Sequence, residues 1–245
     1  PELPANSTKR RFRPTYAAMV HRMDDGIGKI LEAIDQTGIS KSTLVWFFSD
    51  NGGTSQAGDN RPFRGRKGDV FEGGIRVPAL VRWPETIAPG SSTQVPLAWI
   101  DVLPTLMQAA GLSHSGGKPL DGINALEIFT GTQSSLDRNI FNYIGSLGEA
   151  AEQIAYITPR WKFVVQGPNI LKPELNDTQR QHFLFRIDDD PHETVNLAEQ
   201  YPEKVKTMYQ RLREFRALQP ANAIAPYPQP TPGFKAPVEW RPSMD

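Results

Sequence analysis

The sequence predicts an α/β chain: part of a mostly parallel sheet flanked by helices, then a small α+β subdomain of antiparallel strands plus a helix. Three observations carry this. An amphipathic helical stripe leads into a short, wholly apolar run at 44–48 that ends on Asp50-Asn51-Gly52-Gly53. A second strand-like run at 75–83 and a helix-like run at 101–110 continue the alternation. From about residue 135 the pattern turns to short strands and one late helix. The organisation expected is 1–134 for the α/β part, 135–220 for the subdomain and 221–245 for a Pro-rich extended tail.

The elements follow in order. Residues 1–13 are polar and end in Lys9-Arg10-Arg11-Phe12-Arg13, a solvated lead-in. Tyr16, Met19, Val20, Met23, Ile27, Ile30, Leu31 and Ile34 keep the three- and four-residue steps of one helical face. Thr15, after Pro14, is placed as the N-cap and Gly38 as the stop. The run 44–48 is too short for a helix and reads as a strand covered on both faces, as in a parallel sheet. Pro78 marks a bulge or an edge in the strand at 75–83. The helix at 101–110 carries Pro104 in its first turn and Gly111 past its end. Runs at 155–158 and 161–166 form a hairpin, 183–187 a third strand, and Val205, Met208, Leu212 and Phe215 mark a helix opening after Pro202.

Composition sets limits. With 27 basic and 27 acidic side chains the net charge is zero, so bulk charge points to no nucleic-acid partner. No apolar run is long enough to cross a bilayer, so no membrane partner is expected. There is no cysteine, hence no disulfide framework, no zinc–thiolate site and no cysteine nucleophile. The chain opens Pro1-Glu2-Leu3 without a signal-peptide pattern, and something upstream is expected.

The strand end at Asp50-Asn51 is where open α/β sheets place ligands. A carboxylate beside an amide oxygen suits a hard cation, Ca²⁺ or Mg²⁺. Asp-Asn-Gly is equally ordinary turn chemistry. The loop that follows, with Arg61, Arg64, Arg66 and Lys67, is long enough to fold back over the strand end. Cations there suit a compact oxyanion such as sulfate or phosphate; a solvated basic loop is the plain alternative. One ammonium–oxyanion pair at about 4 Å is worth roughly 4 kcal/mol at an effective dielectric near 20, before desolvation.

Taken together, SDNGG and then RPFRGRKGDVFEGGIRVPALVRWP resemble the second signature region of the sulfatases, in the alkaline-phosphatase-like superfamily. The spacing GDNRPFRGRK is nearest the arylsulfatase B-like group. Residues 16–28 (YAAMVHRMDDGIG), DVLPT followed by AAG, the Asp121-Gly122 turn and FRIDDDPHETVNL at 185–197 resemble further stretches of that family. The resemblance implies that Asp50 and Asn51 bind a cation, usually calcium. It implies that Lys67 contacts the sulfate and the departing oxygen, with Arg64 beside it as a substrate-binding cation. Glu72 and Arg76 match the pattern as a structural ion pair or loop anchor, and Asp24 and Asp25 as structural residues.

The chain departs from the family in one region. The family nucleophile is a formylglycine made within Cys/Ser-x-Pro-x-Arg, and no such motif occurs here. Ser49 and Ser55 lack a His/Asp partner set for that role. The resemblance therefore implies the carboxyl-terminal half of a sulfatase, with an amino-terminal half expected as partner and exposed apolar surface where the two would meet. Its implied substrates are sulfate-ester small molecules or sulfated sugars, and its implied locations are periplasmic, secreted or lysosomal. The alternatives are a phosphate or phosphonate ester hydrolase of the same superfamily and an inactive, truncated anion-binding homologue.

Overall fold

The structure, a computed structural model, describes residues 8–145, 148–172 and 179–220. The expected tail at 221–245 lies outside them.

Helix α1 spans Thr8–Gln36. It starts well before Thr15 and holds Pro14 inside it, where the ring removes one backbone donor from the helical ladder without ending the helix. It stops as expected: Gly38 takes φ +72 and the Thr37 hydroxyl donates to the Ala33 carbonyl at 2.7 Å. Asp25 pairs with Arg22 at 3.6 Å on its surface.

Strand β1, Val45–Phe48, pairs with β2, Ala79–Arg82, in the register Val45↔Arg82 to Phe48↔Ala79. The α/β class holds, but this pair is antiparallel where parallel neighbours were expected. An apolar run reports cover on its faces and carries no information about chain direction. Trp46 and Val81 share one face and pack on Val95, Ala125, Ile128 and Phe129. The short helices α2, Glu72–Ile75, and α4, Leu126–Phe129, and the longer α3, Val102–Ala109, complete this part. Asp101 is fully buried, and Arg138 donates to its two oxygens at 2.5 and 2.6 Å.

The second unit is an antiparallel sheet in the order β3 (Ile140–Ile144), β4 (Glu152–Ile157), β5 (Trp161–Gly167), β6 (Gln181–Arg186), backed by α5 (Pro202–Ala217). Its hairpin, third strand and helix match the sequence reading, and β3 is an addition to it. Strand alternation divides β5 between two cores. Phe163 and Val165 join Met208 and Leu212 of α5. Val164 faces the other way, with Phe185 and Ala155, and packs on Val70 and Phe71 from the loop before α2. The second sheet is thus the floor under that loop.

An apolar surface remains uncovered among the described residues. Met19, Met23 and Ile30 of α1 are 67, 50 and 59% exposed, and Leu80 and Trp99 are 68 and 72% exposed. The stripe read from the sequence is therefore exposed among the described residues at Tyr16, Met19, Val20, Met23 and Ile30, while Ile27, Leu31 and Ile34 are half-buried. No described helix is long and apolar enough to cross a membrane.

Candidate functional site

Strand β1 delivers the chain to a rim. The Ser49 amide donates to the Pro78 carbonyl at 3.3 Å, and its hydroxyl donates to the Asn51 carbonyl at 3.0 Å. That hydroxyl braces the turn. Asp50 is exposed and Asn51 half-buried at the rim.

Two glycines then bring backbones together. The Gly52 amide donates to the Gly74 carbonyl at 2.9 Å. A methyl group at Gly52 would lie 1.9 Å from the Gly73 carbonyl oxygen, so only glycine fits. The Gly53 amide donates to Asn60 Oδ1 at 2.8 Å, and Asn60 Nδ2 donates to the Gly53 carbonyl at 2.9 Å. The Lys67 amide donates to that same carbonyl at 3.1 Å. The cation loop is thereby stitched onto the Asp50-Asn51 turn. Asn60 escaped the sequence reading because a lone amide in a polar loop has no periodic or spacing signature.

The four cations separate by environment. Arg61 is paired with Asp59, its Nε donating at 2.8 Å. The Arg64 guanidinium lies over Phe71 at 4.0 Å and near Phe183 at 4.8 Å, a stacked position over the second sheet. Arg66 and Lys67 are exposed, and no described carboxylate pairs with either side chain. Of the predicted set, Asp50 and Asn51 adjoin Gly52 and Gly53 in the chain and Lys67 reaches Gly53 through its backbone amide, whereas the Arg64 guanidinium is turned to the aromatic floor.

Among the described residues no group of three or more His, Cys, Asp or Glu side chains is placed to hold a metal. Asp50 and Asn51 offer two oxygen donors at an open rim, which fits part of a hard cation's shell of about six to eight oxygens.

Glu72, the first residue of α2, is 6% exposed. Its carboxylate accepts from Lys162 Nζ at 2.8 Å and lies 3.5 Å from Arg76 Nη1. Its backbone amide donates to Glu193 Oε2 at 2.8 Å, while Glu193 Oε1 lies 2.8 Å from Lys162 Nζ. Glu72 and Arg76 are therefore the ion pair expected, but Lys162 and Glu193 went unread. Burial pushes the Glu193 carboxyl above its ordinary value near 4.5, against the pull of the Lys162 ammonium.

Comparison with known proteins gives a consistent result. A family profile described as Sulfatase matches residues 2–112, and one described as N-sulphoglucosamine sulphohydrolase, C-terminal, matches residues 63–218. The chain is similar to the steryl-sulfatase of Mus musculus, 35% identical over 178 residues, which is 65% of this chain and 28% of that protein. It is similar to the N-acetylgalactosamine-6-sulfatase of Mus musculus, 30% identical over 254 residues, 94% of this chain and 48% of that one. Among solved structures it resembles Ps i-CgsB, with a TM-score of 0.71 at 27% identity, covering 88% of this chain and 48% of the other. The chain spans less than half the length of each of these relatives.

Proposed function

Because this chain belongs to the sulfatase family, we propose that it forms the metal- and sulfate-binding half of a sulfuric ester hydrolase acting on sulfate esters, sulfated sugars among them. The observation that carries the reading is the bond from the Lys67 amide to the Gly53 carbonyl at 3.1 Å, which folds the cation loop onto the Asp50-Asn51 turn. The names of two similar proteins, a steryl-sulfatase and an N-acetylgalactosamine-6-sulfatase, support the ester class and the sugar.

In this reading Asp50 and Asn51 supply two oxygen ligands to a calcium ion; magnesium, which demands a near-octahedral shell, suits an open rim less well. When bound, the ion neutralises charge on the sulfo group and on the attacking oxygen. Lys67 acts at the other end of the bond that breaks. Negative charge grows on the departing ester oxygen, and a fixed ammonium N–H donating to it favours the transition state over the ground state. Arg64 adds positive charge from a greater distance, its guanidinium stacked on Phe71 with in-plane N–H donors left for an anion that reaches that floor.

The nucleophile is assigned to a formylglycine in a preceding part of the protein. That part would also cover the exposed stripe of α1. A periplasmic, secreted or lysosomal setting goes with this reading.

The test uses the full-length protein with paired sulfate and phosphate esters. Lys67→Ala should lower sulfate-ester turnover by roughly 100-fold or more, the scale of one lost transition-state donor. Chelation should abolish turnover and calcium restore it. Unchanged turnover in Lys67→Ala sinks the assignment. Preference for the phosphate ester moves it to phosphoryl chemistry, and calcium and sulfate binding without turnover moves it to an anion-binding homologue.

A further inference from the structure

We propose that Lys162 and Glu193, both on the second unit, are positioning residues for the anion site: they fix Glu72, and through it the glycine pair that holds both arms of the site. This rests on the sulfatase reading only for where the chemistry occurs.

The relay is short. Glu72 is held at its carboxylate by Lys162 and at its amide by Glu193, both contacts at 2.8 Å. The next residue, Gly73, donates its amide to the Arg64 carbonyl at 2.6 Å, which fixes the middle of the cation loop. The one after, Gly74, offers its carbonyl to the Gly52 amide at 2.9 Å, which sets the Asp50-Asn51 turn. One anchored residue therefore governs the spacing between the cation loop and the metal-side turn.

Cohesion between the units does not account for these charges. Lys162 is fully buried and stands opposite Phe185 in the sheet register, on the face where Val164 packs. Apolar contact already joins loop and sheet there, through Val70 and Phe71. Replacing buried ion pairs by apolar groups of similar volume is often neutral or stabilising, and their best-attested use is to fix register. Directional bonds to a carboxylate and an amide do that; greasy contact does not. Glu193 also adopts φ +58, rare for a residue with a side chain, and strain of this kind persists where the surroundings hold it. The turn that carries it is held by Asp190, whose carboxylate accepts from the Thr194 and Val195 amides at 2.8 and 3.0 Å.

The experiment is a double-mutant cycle in the full-length protein on a sulfate ester. Glu193→Gln keeps the shape and Lys162→Met keeps the length. Each should lower kcat about 10- to 100-fold with KM changed less than about threefold, the cost of a misplacement near 1 Å. Glu193→Gln added to Lys67→Ala should cost less than about threefold more, because both act through one group. If Lys67→Ala is severe but Glu193→Gln, folded by circular dichroism, retains kcat within twofold, the positioning role is overturned and the site assignment stands. Full multiplication of the two defects likewise reduces Glu193 to general stability. If Lys67→Ala itself does nothing, the site reading has failed, which is a separate result. Should Lys162→Met not fold, the isosteric Glu193→Gln decides alone.

Discussion

The amide of Lys67 donates to the carbonyl of Gly53 at 3.1 Å, so the loop that holds the cations and the turn that holds Asp50 and Asn51 meet through backbone. That contact is itself made between main-chain groups. It depends on how closely the backbones can approach, and that is set by glycine.

Gly52→Ala tests this approach. Its methyl would meet the Gly73 carbonyl at 1.9 Å, and backbone cannot swing aside as a side-chain tip can. The expected loss is about 1–3 kcal/mol of stability, the usual cost of overpacking. Turnover should fall with it even well below the melting temperature. Denaturant unfolding and steady-state kinetics on the same preparation read both. A variant with parent stability and turnover would mean that the turn relaxes freely.

Arg64→Lys tests the aromatic floor. The guanidinium sits 4.0 Å from the Phe71 ring centre and 4.8 Å from that of Phe183. Lysine keeps the charge but loses the flat stacking surface. A loss of about 1 kcal/mol is expected in urea unfolding, in line with a partly desolvated cation–π contact. If Arg64 also contributes to anion binding, KM for a sulfate ester rises in the same variant. Equal stability would show that the stacking contributes nothing.

Met19→Glu tests the uncovered face. Met19 is 67% exposed among the described residues. If a preceding part of the protein covers α1, the new carboxylate becomes buried without a partner in the full-length protein. The melting temperature should then drop, by the equivalent of roughly 3 kcal/mol or more. A surface site would tolerate the change within about 0.5 kcal/mol. The smaller shift would remove the case for a covering layer.

Glu193 sets a pH dependence. Burial raises its folded-state pKa above the ordinary value near 4.5, so the folded protein holds the proton more tightly than the unfolded one. Its favourable contribution is complete below 4.5 and is lost as pH rises through the raised value. Glu193→Gln removes that titration. The melting-temperature difference between variant and parent should therefore move in the variant's favour as pH climbs from 4.5. Asp188 works in the opposite sense: its hydrogen bond from Arg186 holds its pKa below 3.8, so its contribution is lost only on acidification below that value. A difference between Glu193→Gln and parent that stays flat with pH would contradict the raised pKa.

Much of this was legible in the chain. The apolar run into Asp50-Asn51, the glycines after it, the hairpin of the second unit and its Pro-initiated helix all lie in local pattern and turn chemistry. The antiparallel pairing of β1 with β2 was not, because burial of a strand's faces says nothing about its direction. Asn60 was not, because its bonds to Gly53 depend on how a polar loop closes.

Lys162 marks the boundary between the two kinds of knowledge. In the run Trp161-Lys162-Phe163-Val164-Val165, alternation assigns it to a face, and a lone lysine on a strand face is normally the one turned to water. The fold covers that face with residues drawn from the first unit, and its partner Glu72 stands 90 positions away. Periodicity along a chain is dictated by the backbone geometry of each element, so residue order alone reveals it. Which face is covered, and by what, is decided by packing between segments far apart in sequence, and only the assembled core supplies the hydrogen-bonding partners that a buried polar side chain requires.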